Sequence, residues 1–320
     1  MEDPSGWNLI ESDPSVFEQL LVDVGVEGLQ VDELYSLDEE TFDQLKPVKA
    51  LIFLFRWVGK EQDGYKAGIE VDPQDCGIFF ANQVVNNACG TMAALNAVMN
   101  IPEVDSEYQG ESIKIGPELQ RMKEFSMGMD SVNLGHLISS NPLIREIHNS
   151  FSRSTPFTFD PSSNPDADPS DAYHFVTYVP FNGLVYELDG LREKPLMHAA
   201  ALDDWTIPAR QIVQHRINTY PEGQIHFSLL AISDSRKPLL KRHLKDPTLS
   251  TSEKEDLSWR LKSEEHKTIQ ATQDNALRRN NLIPAVLGLL KALGESGVVD
   301  TLRESSRKDR KVKKMRSGDE

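Results

Sequence analysis

Residues 79–100 read FFANQVVNNACGTMAALNAVMN. From Gly90 to Val98 the stretch is rich in Ala, Leu and Met and has no Pro, which predicts a helix apolar on most of its sides and therefore buried. Cys89 then falls in the first turn of that helix. Unpaired N–H groups and the positive end of the helix dipole favour a thiolate there, and the thiolate is the form that attacks a carbonyl carbon. Gln83 lies on the approach to the helix, where its amide can donate to an oxyanion forming beside the sulfur. Asn86 and Asn87 are turn formers. Taken alone the stretch does not establish chemistry, because free cysteine is among the most buried residue types and a lone glutamine is usually a surface amide. A base must come from elsewhere in the chain.

At 320 residues the chain has room for one domain of about 200 to 250 residues plus an appendage. Its net charge of −16 is unevenly spread. Acidic residues outnumber basic ones by more than two to one before Arg236, whereas basic residues prevail after it. The acidic part should repel nucleic acid and attract a basic partner. Cys76 and Cys89 form no spaced framework, residues 1–19 do not read as a secretory leader, and no apolar run reaches membrane-spanning length. A reducing compartment, cytosol or nucleus, is the expectation, with neither nucleic acid nor membrane as a partner.

Working outward, Asp13-Pro14 reads as an N-cap followed by proline at the first helical position, and Val16, Leu20, Leu21 and Val24 continue at helical spacing until Gly25. Leu29 to Tyr35 is a weakly alternating strand, and Ser36 with Glu39 has capping-box spacing for a short helix ending before Pro47. The run VKALIFLFRW, Val48 to Trp57, is nearly continuous in apolar residues, as expected of a central strand covered on both faces. Residues 59–77 are polar and Gly-punctuated, predicting a loop. Helices are expected from Gly116-Pro117, from Ser131 to Ser139 and from Pro142 to Phe151. Ser152 to Ala172 then loses all periodicity and collects four prolines; a structureless stretch of that length inside a domain is usually a lid or a linker.

Tyr173 to Val179 and Leu184 to Leu188 are strand-like runs joined by Pro180, Phe181, Asn182 and Gly183. A four-residue loop pairs Val179 with Leu184 and puts His174 directly opposite Asp189. A two-residue Asn182-Gly183 turn makes the pair diagonal but keeps both side chains on one face. In either register Asp189 can hold the imidazole in one tautomer, a partner that no other histidine gains from the hairpin. A helix-start Cys, an upstream Gln and a hairpin-paired His and Asp are together the parts of a papain-like cysteine site.

The stretch QVVNNACGT, the hairpin YHFVTYVPFNGLVYELDGLRE and the opening WNLIESDPSVFEQLL resemble the ubiquitin C-terminal hydrolases, cysteine-type deubiquitinases. The resemblance implies an α/β fold: an α/β/α sandwich around a central antiparallel sheet, papain-like, with knotted threading. It implies Cys89 as nucleophile, His174 as general base and acid, Asp189 as orienting carboxylate and Gln83 as part of the oxyanion hole, with no cofactor and no metal. Residues 275–304, NALRRNNLIPAVLGLLKALGESGVVDTLRE, are similar to the extra helical domain of the long members, whose tail docks on a ubiquitin-receptor subunit of the 26S proteasome. The implied organisation is a catalytic domain over 1–235 with an active-site crossover loop at 152–172, a helical linker over 236–273, and a helical extension over 274–320 with a basic tail. Ubiquitin conjugates are the implied substrate, and cytoplasm and nucleus the implied locations. Two other classes share parts of this reading. One is a scaffold that binds ubiquitin and the proteasome without chemistry; the other is an acyl-transferring cysteine enzyme such as an amidase or transglutaminase.

Overall fold

The computed structural model describes residues 5–56, 68–102, 113–152, 173–201, 203–220, 227–280 and 283–296. In chain order the first elements are α1 (Pro14–Val24), β1 (Leu29–Leu34), α2 (Glu39–Asp43), β2 (Val48–Arg56), β3 (Ile69–Glu70), α3 (Pro73–Cys76) and α4 (Cys89–Val98). Then come α5 (Gly116–Phe125), α6 (Ser131–Ser140), α7 (Pro142–Ser150), β4 (Tyr173–Phe181), β5 (Leu184–Leu188) and β6 (Leu196–Ala200). The chain continues through α8 (Thr206–Ile217), β7 (Phe227–Asp234), α9 (Arg236–His243), α10 (Thr251–Arg279) and α11 (Ile283–Glu295). No helix among the described residues is long and apolar enough to cross a membrane. The expected crossover loop, 152–172, lies outside the described residues apart from Ser152, as does the basic run 307–316.

Among the described residues, all strands join one antiparallel sheet in the order β1-β7-β2-β4-β5-β6-β3. The continuous apolar character of β2 follows from its place between β7 and β4. Ala50 and Ile52 face a core built with α1, α4, α5, α6 and α7, while Leu51, Phe53 and Phe55 face a second core with α2 and α8. Two apolar faces need two covers, and the α/β/α layering supplies them.

Local capping departs from one expectation. The N-cap of α2 is Asp38, not Ser36: its carboxylate accepts from Thr41 N–H at 2.7 Å, and the Ser36 hydroxyl donates to that carboxylate. The carboxylate is the stronger acceptor for the orphan N–H groups. The stretch expected to be all loop, 59–77, contains β3 and α3 in its described part. Two-residue β3 is too short for a periodicity signal, and its pairing with β6 is what defines it. The N-cap Asp13 and the left-handed stop at Gly25 (φ 112°) bound α1 as expected.

The segment ahead of α1 is pinned by buried His148 from α7. Its Nε2 donates to the Asn8 carbonyl at 2.6 Å, so Nδ1 accepts from the Thr91 hydroxyl of α4 at 2.7 Å. The Trp7 ring packs 4.7 Å from the imidazole, centroid to centroid, and Trp7 Nε1 donates to the Ser139 carbonyl. Thus one neutral histidine ties the N-terminal segment, α7 and the first turns of α4 together.

After the sheet, α9 and the 29-residue α10 lie against the edge formed by α1 and β1. A capping box of Ser250 and Glu253 starts α10. Its contacts are polar: Asn275 donates to the Ser15 carbonyl at 2.9 Å, and Arg278 reaches Asp13 at 2.6 Å and Glu11 at 3.3 Å. Arg279 pairs with Asp23 and stacks 4.2 Å over the Phe151 ring, while Lys267 of α10 and Arg236 of α9 both pair with Asp32. The helix runs unbroken through 273–274.

Burial pushes the His148 pKa down to about 4, against the upward pull of its hydrogen bond to Asn8. The unfolded chain therefore binds a proton near pH 6.5 that the native state refuses until about 4. Stability contributed by neutral His148 is complete above about pH 6.5 and lost as pH falls toward 4, by roughly 3 kcal/mol. Urea denaturation should show this acid-side loss in the native chain and a shallower one in His148→Gln; equal slopes would assign the acid lability elsewhere.

Candidate active site

The nucleophile's side of the site is built by buried amides. Residues 90–98 of α4 are all buried, and Cys89 at its first turn is half-buried. The chain leading to Gln83 runs beside this helix without a strand partner, and its backbone groups are satisfied by helix side chains instead. Asn96 accepts from Ala81 N–H at 2.9 Å and donates to the Ala81 carbonyl at 3.1 Å. Asn100, one turn on, does the same for Phe79 at 2.8 and 2.7 Å. Asn96 within α4 and Asn100 just past its end thereby set the path of 79–81 relative to Cys89. Farther on, Gln83 Nε2 donates to the Val85 carbonyl at 3.0 Å, which orients its amide. Asn87, with φ at 63°, turns the chain into the helix and donates to the Trp7 carbonyl at 2.9 Å.

The other side comes from the β4–β5 hairpin. Asn182 and Gly183 both have positive φ, 47° and 77°, the signature of a two-residue type I′ turn. Phe181 therefore pairs with Leu184 and Val179 with Tyr186, in place of the Val179–Leu184 pairing of the four-residue alternative. His174 and Asp189 are consequently diagonal rather than directly opposed. They remain on one face and meet through His174 Nε2 and Asp189 Oδ1 at 2.6 Å, both residues buried. The Phe55 ring, cross-strand neighbour of His174, stands edge-on to the imidazole at 5.9 Å and limits its rotation.

Of the four residues singled out from the sequence, the structure brings Cys89, His174 and Asp189 together. Burial alone would push the His174 pKa down, but hydrogen bonds to Asp189 and Cys89 reverse the effect and carry it up to about 9. Cys89 is thus near enough to the imidazole to help raise its pKa, while Asp189 holds Nε2. For Asp189, burial raises the pKa, and the His174 bond together with the Leu191 N–H, 2.9 Å away, holds it below the usual carboxylate range. Gln83 joins them through its backbone N–H, which donates to the carbonyl of Gly190, next to Asp189.

A second charged cluster lies behind Asp189 and was not apparent from the hairpin alone. Fully buried Glu187 pairs with Arg216 of α8 at 2.7 Å and with His198 of β6 at 2.9 Å. Burial raises its pKa, and the Arg216 guanidinium and His198 bring it below the ordinary value. Arg216 also stacks 4.1 Å over the same Phe55 ring that borders His174. The alternation of Glu187 with Leu188 along β5 was the available signal, since it put a carboxylate on the Asp189 face; the partners come from elements brought in by tertiary packing.

Residues 7–218 match a profile of ubiquitin carboxyl-terminal hydrolase, family 1. The chain is 38% identical over 324 residues to ubiquitin carboxyl-terminal hydrolase ubh-4 of Caenorhabditis elegans, covering 98% of this chain and 96% of that one. It is 33% identical over 349 residues to ubiquitin carboxyl-terminal hydrolase isozyme L5 of Dictyostelium discoideum, with 96% and 97% covered. Among solved structures it resembles UCH37 of Trichinella spiralis bound to ubiquitin vinyl methyl ester, with a TM-score of 0.67 at 32% identity, covering 83% of this chain and 99% of that one. With the fold, the convergent site and these matches in agreement, the chain belongs to family 1 of the ubiquitin carboxyl-terminal hydrolases.

Proposed function

We propose that this cysteine-type deubiquitinating hydrolase uses Cys89, His174, Asp189 and Gln83 to cleave amide and isopeptide bonds after the C-terminal glycine of ubiquitin. The observation that carries the assignment is the buried His174–Asp189 bond, with Cys89 near enough to act on the same imidazole. The protonated imidazole and the neighbouring sulfur form the reactive pair at neutral pH. The Cys89 sulfur attacks the glycine carbonyl carbon, and the C=O electron pair moves onto oxygen. That oxyanion is met by the Gln83 amide and by the Cys89 backbone N–H at the start of α4. Collapse breaks the C–N bond as His174 delivers its proton to the leaving amine. Neutral His174 then takes a proton from water, whose oxygen attacks the thioester carbonyl and expels the thiolate. Asp189, held ionised, stabilises the imidazolium at each stage in which it is charged.

The relative UCH37 of Trichinella spiralis was captured with ubiquitin vinyl methyl ester, an electrophile of the class that reports a reactive thiol. This supports ubiquitin as the acyl donor here, and the acidic balance before Arg236 suits a basic substrate tail. We also place the helical extension on a ubiquitin-receptor subunit of the 26S proteasome. In its favour, Val286, Leu287, Leu289 and Leu290 of α11 are all more than 45% exposed. Retention of proteasome binding by a Leu289→Glu, Leu290→Glu variant would argue against that docking. The assignment to cytoplasm and nucleus is supported by two unpaired thiols, Cys76 and Cys89, and would fail if the chain were found secreted with its thiols oxidised.

Cys89→Ala should abolish hydrolysis of a fluorogenic ubiquitin amide while keeping ubiquitin affinity, and Gln83→Ala should lower kcat by roughly 10²–10³ with little change in KM. Residual turnover of Cys89→Ala within about tenfold of the native chain would sink the nucleophile assignment. A pH series provides an independent check. His174 has its pKa raised to about 9 in the folded state, so the stability it gains from Asp189 is fully present below about pH 6.5 and is lost as pH climbs through about 9. The stability difference between the native chain and Asp189→Asn, on the order of 2–3 kcal/mol near pH 6, should shrink by pH 9; a gap that widens with pH would contradict the charged pair.

A further inference from the structure

Asn82 directly precedes Gln83 and is 8% exposed. Its Nδ2 donates to two carbonyls of the turn that carries Asp189: Gly190 at 3.2 Å and Arg192 at 2.5 Å. The Gln83 backbone N–H donates to the same Gly190 carbonyl at 2.8 Å. The turn is itself closed, with Arg192 N–H on the Asp189 carbonyl and Leu191 N–H on the Asp189 carboxylate, both at 2.9 Å. Three hydrogen bonds therefore join the Gln83 segment to a rigid turn about a hundred residues away in sequence.

Glycine on both flanks of this junction eases the close approach. A Cβ on Gly190 would lie 3.2 Å from Gln83 N and 3.3 Å from Gln83 Cβ. On the far side a Cβ on Gly135 of α6 would stand 2.1 Å from the Asn82 carbonyl oxygen, and Asn82 N–H donates to the Ser131 carbonyl at 2.9 Å. Asn82 is thus held between α6 and the Asp189 turn, with its side chain supplying two of the three cross-bonds. An oxyanion donor works only when aimed at where the charge forms, so what fixes the Gln83 backbone also fixes the value of its amide.

We propose that Asn82 is a positioning residue for the Gln83 amide, setting its place relative to Cys89 and Asp189; the inference rests on Gln83 acting as oxyanion donor. Asn82 touches neither substrate nor the reacting sulfur in this scheme, and its whole effect runs through Gln83. Removing its donors leaves the turn closed by its own bonds but loosens the segment that carries the amide.

The test uses the full chain with Asn82→Ala, Asn82→Asp, Gln83→Ala and Asn82→Ala combined with Gln83→Ala. Two rates are read: turnover of a fluorogenic ubiquitin amide, and covalent labelling by ubiquitin vinyl methyl ester. In labelling, the thiolate adds to the vinyl β-carbon and the charge passes to an ester enolate that is then protonated, so no tetrahedral carbonyl adduct forms beside Gln83. Asn82→Ala should lower kcat about 10- to 30-fold with KM within about twofold and labelling within about threefold of the native chain. Asn82→Asp, the same shape but with a carboxylate facing two carbonyl oxygens, should lose at least as much. Adding Asn82→Ala to Gln83→Ala should cost no more than about threefold further. A kcat within about twofold of native in Asn82→Ala, a parallel fall of hydrolysis and labelling, or additive losses in the double variant would overturn the proposal. If Gln83→Ala costs its 10²–10³ while the Asn82 variants are harmless, this inference alone fails. A harmless Gln83→Ala would remove the oxyanion reading and the inference with it.

Discussion

A charged imidazole and a carboxylate 2.6 Å apart, both buried, are the condition that the surrounding structure has to meet. Taking two ions out of water is costly unless geometry is good and the leftover hydrogen-bonding capacity is filled. Here the Leu191 N–H fills one remaining site on Asp189, the Phe55 ring borders the imidazole, and Cys89 lies near enough to favour its charged form. Each of these partners demands a tightly placed element. Phe55 requires β2 to sit next to β4, and Leu191 requires the turn after β5 to be closed. Cys89 requires α4 to start at the right height above the sheet, which the bond from Thr177 of β4 to the Ala93 carbonyl at 2.7 Å helps to enforce.

Polar side chains take over wherever regular backbone pairing stops. Asn96 and Asn100 act as a substitute strand for 79–81, and His148 links the N-terminal segment to α4 through Thr91. Glu187, Arg216 and His198 fill the space behind Asp189 with a buried ionic cluster where an apolar core would have been simpler. Apolar packing is permissive about small displacements, whereas a buried amide or ion with unmet partners is heavily penalised. A site needing atoms fixed to a few tenths of an ångström is well served by the second kind of contact.

What the sequence disclosed followed from local rules. The buried helix behind Cys89 showed in its composition, and the central strand in its unbroken apolar run; proline and glycine bounded α1. The hairpin left two registers open, and the Asn-Gly pair at 182–183, the strongest short signal for a type I′ turn, was the discriminating clue. The His174–Asp189 partnership survived either register because a shift of two preserves the face. Contacts set by distant parts of the chain could not be read in the same way. Arg216 meets Glu187 only because α8 crosses that face, and Asn275 meets Ser15 across 260 residues of sequence. Asp38 displaced Ser36 as the cap of α2 because the two candidate caps lie two residues apart, a margin at which local rules lose resolution.

The docking of α10 against α1 and β1 has a thermodynamic character of its own. Asn275 is the buried residue of that helix, and the other contacts described are ion pairs, hydrogen bonds and the stacking of Arg279 on Phe151. Heat capacity and denaturant sensitivity both scale with surface newly exposed, and the apolar part dominates the former. Ionic strength acts on such ion pairs directly through screening, whereas it leaves apolar packing largely alone. The attachment of α10 should therefore respond to the salt around the protein as well as to temperature, unlike the apolar packing inside the sandwich.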